Sequence, residues 1–263
     1  MTASIVALIP ARGGSTRIPR KNLADLNGHP LIAYTIASAQ QSGVFSGVYV
    51  STEDAEIAEC ARHYGAMVID RPSEFAADLA PDIGWVVHVL ETLRRRSGTT
   101  PDAFAILRPT SPFRSPETIR AAWEHLQHHG PFAVDSLRAV EKPKQHPLKM
   151  WIPAGELIFP FADWIRYQIE PHPLAPAHSQ PAQTFFPVYA QNASLEMAWS
   201  RVAIPEYDGL KRIANTLSIS GERVLPWLMP GFEGVDINQP EDLDYARWLI
   251  ETKRATLPGV VHG

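Results

Sequence analysis

The chain has 263 residues, 45% hydrophobic and 20% charged, and its 24 basic and 28 acidic side chains leave a net charge of −4. That length and balance fit a soluble globular protein, one large core with an elaboration as readily as two domains, and argue against a surface that tracks nucleic-acid phosphates, which would make the domain basic. No apolar run reaches the roughly 18 residues of a membrane span, the opening MTASIVALIPARGG meets an arginine and two glycines before a signal-peptide core could form, and a lone cysteine, Cys60, excludes a disulfide framework or a Cys-rich zinc site. A reducing, cytoplasmic setting is expected, with neither membrane nor nucleic acid as partner.

In chain order, residues 4–9 (SIVALI), 47–52 (GVYVST), 66–69 (AMVI) and 103–107 (AFAIL) are short apolar runs predicted as buried strands. Segments 30–41, 54–64, 82–96 and 116–129 carry helical periodicity. Asp54 is placed to cap the second of these, and Ser115 before Pro116 puts a cap ahead of a proline at the first helical position of the fourth. Strand and helix alternating through short links imply parallel pairing by right-handed crossovers, hence an α/β, Rossmann-like, doubly wound, mainly parallel sheet. Ligands in such sheets sit beyond the carboxyl ends of the strands.

The character changes near residue 131, since 13 of the 24 prolines lie in 131–230, well above the average protein usage of about 5%. Residues 141–206 are predicted as an irregular insertion within a single domain spanning 1–263, with short strands at 188–190 and 194–199. Trp151, Phe159, Phe161, Trp164, Phe185, Phe186, Tyr189 and Trp199 are too much aromatic surface to leave in water, and packing onto a second copy, a homodimer, is the expectation. The stretch PEDLDYARWLIETKR is a final helix, acidic in its first turn and basic in its last.

The loop after the first strand carries the chemistry. Pro10, Ala11, Arg12, Gly13, Gly14, Ser15, Thr16, Arg17, Ile18, Pro19, Arg20, Lys21 and Asn22 set two adjacent glycines among four cations. Glycines after a strand let backbone N–H groups line a concavity for phosphate oxygens, and the cations supply the charge a polyphosphate needs. The loop is neither GxGxxG nor GxxxxGK[ST], so a dinucleotide oxidoreductase and a Walker NTPase are disfavoured.

This segment, IPARGGSTRIPRKN, resembles the IPARGGSKGIPRKN signature of the cytidylyltransferases that activate acidic sugars, the CMP-sialic acid synthetases and their CMP-octulosonate relatives. The resemblance continues through VYVSTEDAEIAECARHYGAMVIDRPSEFAADLAP, ILRPTSPFRSPETI and EGVDINQPEDL, in the family's order. It implies transfer of CMP from CTP, with Mg²⁺ or Mn²⁺, and a catalytic set of Arg12, Lys21 and Asp236. It places Ala11, Gly13, Gly14, Ser15, Asn22, Arg71, Asp78 and Ala80 around the nucleotide, Arg71 at the cytosine edge. The family has lysine where this chain has Thr16 and glycine where it has Arg17, and Arg17 is expected to supply the displaced cation. Asp236 is the expected metal ligand, and the family's second aspartate is here Asn238, which can offer a carbonyl oxygen but no charge.

The acceptor pocket departs most. The family's glutamine before PTSP is Arg108, and the arginine of its RQ pair is Ala182, beside Gln183. The asparagine of its NG pair is Asn192, before Ala193. Arg108, Lys142, His146, Lys149, Gln183 and Asn192 are the expected acceptor contacts, and their charge suits an acidic partner. A sialic-acid-like nonulosonate or related 2-keto sugar acid is the first reading. A small phosphonate or carboxylate, or a non-catalytic nucleotide-binding homologue, are the alternatives.

Overall fold

The computed structural model describes residues 3–161, 179, 181–204 and 219–261. Its elements run β1 (Ile5–Pro10), β2 (Asp25–Leu26), β3 (His29–Pro30), α1 (Leu31–Ser42), β4 (Phe45–Thr52), α2 (Ala55–His63), β5 (Met67–Asp70), α3 (Asp82–Ser97) and β6 (Ala103–Ile106). Then follow α4 (Pro116–Ala133), β7 (Ser136–Glu141), β8 (Trp151–Ala154), β9 (Leu157–Pro160), β10 (Ala190–Trp199), β11 (Val224–Leu228) and α5 (Pro240–Glu251). Trp164 and most of the proline-dense stretch 171–187 lie outside the described residues.

Among the described residues a seven-stranded sheet forms in the order β11-β7-β10-β6-β1-β4-β5. β1 pairs in parallel with β4 and β6, β4 with β5 and β7 with β11, while β10 lies antiparallel to β6. Alternation along β1 sends Ile5, Ala7 and Ile9 into a layer with Ile32, Ile36, Ile57, Ile119 and Trp123 of α1, α2 and α4. Val6 and Leu8 face the opposite layer with Trp85, Val86, Val89 and Leu90 of α3. Helices on both faces are the doubly wound arrangement expected from the alternating pattern. Asp54 caps α2 by accepting from the N–H groups of Glu56 and Ile57, and Ser115 caps α4 by accepting from Thr118. Gly130, at φ 73°, breaks α4 just past the predicted end at 129, with Pro131 behind it. No helix of the described residues is long and apolar enough to cross a membrane.

The chain divides into two compact units, Met1–Val140 with Asn192–Gly263, and Glu141–Gln191. The second unit therefore ends well before residue 206. The two strands expected at 188–190 and 194–199 are one strand, β10, which enters the main sheet. Asn192 lets it run through: its side-chain Oδ1 accepts from the N–H of Ser194 at 2.8 Å and its Nδ2 donates to the Gly234 carbonyl at 2.7 Å. The second unit holds the β8–β9 hairpin, on which Trp151, Leu157, Ile158 and Phe159 are all exposed.

Candidate active site

A cleft of about 570 Å³ opens at the carboxyl ends of β1, β4, β5 and β6. Its lining includes Arg12, Gly14, Ser15, Arg17, Lys21 and Asn22 from the loop after β1, Arg71, Asp78 and Ala80 from the turn after β5, Arg108 after β6, and Asp236 with Asn238 ahead of α5. Sequence positions more than two hundred apart thus meet at the sheet edge, where a doubly wound fold binds ligands.

The phosphate loop is built by side chains with unequal jobs. Ala11 is fully buried and its N–H donates to the Ser51 carbonyl at 3.0 Å, which fixes the loop's exit from β1. Asn22 donates from Nδ2 to the Arg12 carbonyl at 2.9 Å. Gly13 does not line the cleft. A Cβ there would come within 2.5 Å of Asp54 Oδ2, so the lack of a side chain at this position is required by the α2 cap. Gly14 has open space and does line the cleft.

Arg20, counted among the four cations of the loop, is a clamp. Its guanidinium holds Asp54 at 2.5 and 3.2 Å and also Glu56, and its backbone sits at φ 54°. Asp54 is correspondingly more acidic than an ordinary aspartate, first through its bond to Arg20. The charge presented to the cleft is that of Arg12, Arg17 and Lys21. Burial lowers the Lys21 pKa, Asp236 opposes this, and Arg17 and Arg12 push it further down, as expected of cations crowded at one place. Lys21 Nζ donates to the Ile237 carbonyl at 3.1 Å and to Asn238 Oδ1 at 3.3 Å.

Arg71 is 7% exposed and makes neither of the surface ion pairs its neighbours Asp70 and Glu74 would offer. Its Nε donates to Ser51 Oγ at 3.1 Å and its Nη2 to the Ser51 carbonyl at 2.9 Å, while the guanidinium lies 5.0 Å from the Trp85 ring centroid. Burial pulls its pKa down to about 10, so it stays charged at neutral pH. Trp85 donates from its indole to Asp82 Oδ1 at 2.8 Å, and Asp82 Oδ2 accepts from Arg108 Nη2 at 2.6 Å. Arg108 also reaches Glu196 at 3.1 Å, whose other oxygen accepts from Arg138 at 2.6 Å. Burial works against the Arg108 charge, but Asp82 and Glu196 overcome it and raise its pKa. The cationic acceptor contact expected at Arg108 is thus a member of a balanced network of two arginines and two carboxylates.

Asp236 carries one carboxylate oxygen bonded by Asn238 Nδ2 at 2.6 Å, and its other oxygen, Oδ1, is buried with no hydrogen-bond partner. An orphaned anionic oxygen facing a phosphate-binding loop suits a hard divalent cation. No group of three or more His, Cys, Asp or Glu side chains converges on a metal among the described residues. Any such ion would therefore take its remaining oxygens from donors other than clustered carboxylates. Asn238, expected as a second ligand, has its amide engaged on both sides, donating to Asp236 and accepting from Lys21.

Asn192 is buried in β10 with the strand-holding bonds described above, and the neighbouring Ala193 lines the cleft instead. Lys142, His146, Lys149 and Gln183 belong to the second unit. There the His146 ring lies tilted against Phe185 with centroids 4.8 Å apart, Lys149 Nζ lies 5.8 Å from the same ring, and Lys142 and Gln183 are exposed. Sequence reasoning missed Glu53, Asp82, Trp85 and Glu196. Glu53 follows β4 directly, where the carboxyl-end rule already pointed, while Asp82 and Trp85 lie in the first turn of α3.

A doubly wound sheet whose strand-end cleft gathers a glycine-bearing cationic loop, a buried arginine on a tryptophan and an unpartnered carboxylate oxygen defines a nucleotide-binding enzyme of the nucleotidyltransferase class. The cytidylyltransferase family pattern matches residues 6–149, and the chain belongs to that family. It is 34% identical over 263 residues to the CMP-N,N'-diacetyllegionaminic acid synthase of Legionella pneumophila, covering 96% of this chain and 99% of that one. It is 38% identical over 146 residues to the N-acylneuraminate cytidylyltransferase of Escherichia coli, covering 55% of this chain and 34% of that one. A solved CMP:2-keto-3-deoxy-manno-octonic acid synthetase complexed with CTP shares the fold with a TM-score of 0.62 at 17% identity, covering 95% of this chain and 100% of that one.

Proposed function

We propose that the enzyme transfers CMP from CTP to an acidic acceptor, a sialic-acid-like nonulosonate or related 2-keto sugar acid, and releases pyrophosphate. The observation that carries this reading is the convergence, in one cleft, of Arg12, Arg17 and Lys21 with the unpartnered Oδ1 of Asp236. An acceptor hydroxyl oxygen attacks the α-phosphorus, the bond from that phosphorus to the bridging oxygen breaks, pyrophosphate leaves with both electrons, and the hydroxyl proton passes to solvent. Such a step needs alignment and charge neutralisation more than covalent chemistry. Arg12, Arg17 and Lys21 bind the triphosphate, Gly14 and Ser15 lie beside it, and Arg71 offers the N–H groups of Nη1 to the cytosine O2 and N3 acceptors. Asp236 would hold Mg²⁺ or Mn²⁺, oriented by Asn238, and the bound ion would neutralise phosphate charge.

Arg108 is the cleft's candidate for the acceptor carboxylate, supported by its place at the end of β6 and by the acidic products named for the relatives above. The exposed apolar side chains of the β8–β9 hairpin support a homodimer, because an isolated two-stranded hairpin is marginal in water. The lone cysteine supports a cytoplasmic setting. The test is pyrophosphate release with Mg²⁺ and CTP across a panel of nonulosonates, octulosonates, small phosphonates and small carboxylates. Release is expected only with an acidic sugar, and Asp236→Ala is expected to abolish it. Turnover that survives that substitution would remove the metal assignment, and silence across the panel would favour a non-catalytic homologue.

A further inference from the structure

Two donors of the phosphate loop are held by carboxylates of the chain itself, one on Arg12, which lines the cleft, and one on Gly13, which stands in the chain between the cleft-lining Arg12 and Gly14. The Gly13 N–H donates to Glu53 Oε1 at 2.7 Å, and Arg12 Nη1 donates to Asp78 Oδ1 at 2.5 Å. The two acids come from different strand ends, Glu53 directly after β4 and Asp78 in the turn after β5. Neither is needed as a helix cap, since α2 is capped by Asp54 and α3 begins behind Pro81 with no side-chain cap. The Arg12–Asp78 pair is open to water, its side chains 36% and 66% exposed. Lys21, in contrast, hydrogen-bonds only to neutral oxygens among the described residues.

We infer that Glu53 and Asp78 are built-in competitors of the phosphate chain, holding two cradle donors while the site is empty and reclaiming them from pyrophosphate once it is cut from the nucleotide. The inference rests on the cytidylyl-transfer reading. Displacing two carboxylates subtracts a fixed amount from the binding of any phosphate ligand that uses Gly13 and Arg12. While the phosphates belong to CTP, contacts with the nucleoside offset that subtraction. After the bond from the α-phosphorus to the bridging oxygen breaks, pyrophosphate must bear it alone, and its retention weakens. Binding energy shared equally by substrate and product would otherwise slow turnover at the release step.

The probe is inorganic pyrophosphate, titrated calorimetrically into the whole protein with Mg²⁺ present. Removing an exposed ion-pair partner is expected to tighten pyrophosphate binding about two- to fivefold in Asp78→Asn. Removing the charged acceptor is expected to tighten it roughly tenfold in Glu53→Gln, with a larger gain in the double variant. In turnover, the double variant should show a lower KM for CTP, a lower kcat and stronger inhibition by pyrophosphate. Glu56→Gln deletes the same charge three residues from Glu53, on Arg20 and outside the cleft, and should leave the pyrophosphate constant within about twofold. Double-variant binding equal to wild type, or an equal gain in Glu56→Gln, overturns the inference while CTP binding by the wild type leaves the proposed function standing. A wild type that binds neither CTP nor pyrophosphate overturns both.

Discussion

Replacing Arg71 with methionine separates recognition of the base from recognition of the phosphates. The methionine keeps an unbranched apolar stem against Trp85 and carries no donor. Arg71 spends Nε and Nη2 on Ser51 at 3.1 and 2.9 Å, so its guanidinium is fixed and Nη1 is left for a ligand. One hydrogen bond from a charged donor contributes about 2–3 kcal/mol, which corresponds to roughly 30- to 150-fold weaker binding of CTP. Burial already disfavours the charge, pulling the pKa to about 10, so the bonds lost to Ser51 are partly offset by the dehydration that methionine avoids. The melting temperature should therefore move far less than the affinity does. Pyrophosphate has no base, and its affinity should change by less than about threefold, the remainder of a screened long-range charge. Calorimetric titration of both ligands into both proteins decides the matter. Equal losses for CTP and pyrophosphate would mean that Arg71 acts on the phosphates or on the fold, and unchanged CTP binding would remove it from the site.

Gly13→Ala should lower the melting temperature by several degrees, because the new Cβ would lie 2.5 Å from Asp54 Oδ2 and overpacking costs about 1–3 kcal/mol. Gly14→Ala, with open space at its Cβ, should melt like the wild type, and equal melting of the two variants would contradict the packing argument. Burial pushes the Cys60 thiol up to about 11, so at pH 8 only about 0.1% is thiolate and alkylation should run roughly a hundredfold slower than for an ordinary exposed cysteine. Rapid labelling of the native protein by iodoacetamide would contradict this. Leu157→Ser with Phe159→Ser should convert a dimer to a monomer in light scattering at micromolar concentration. A dimeric mass for that double variant would take the hairpin out of the interface.

Strands β1, β4, β5 and β6 and the caps of α2 and α4 were legible because each is written in a few adjacent residues. β11 was not, since its sequence VLPWL carries a proline. Pro226 is tolerated because, among the described residues, β11 is an edge strand that pairs only with β7. β10 was read as two pieces because a polar asparagine interrupts its pattern, and only the tertiary partner Gly234 explains why Asn192 belongs inside a strand. The cationic loop of the site was plain in the sequence, but the value of each cation was not. Arg20 went to Asp54, Arg12 to Asp78 and Arg108 to Asp82 and Glu196, and every one of those carboxylates lies 26 or more positions from its arginine. A list of charges cannot say which will cancel until folding brings them together.

The bond from Lys21 to the Ile237 carbonyl spans 216 positions. Asp236 is framed by that contact, by the Ile237 N–H on the Thr110 carbonyl at 2.8 Å, and by Asp242, which accepts from the N–H groups of Asn238 and Gln239 at the start of α5. During synthesis, the strands that cradle phosphate can emerge and pair long before the segment that carries Asp236. On the proposed reading of Asp236 as the metal ligand, a half-made chain would bury its first hydrophobic layers before it could turn over, and activity would mark the arrival of the segment ahead of α5.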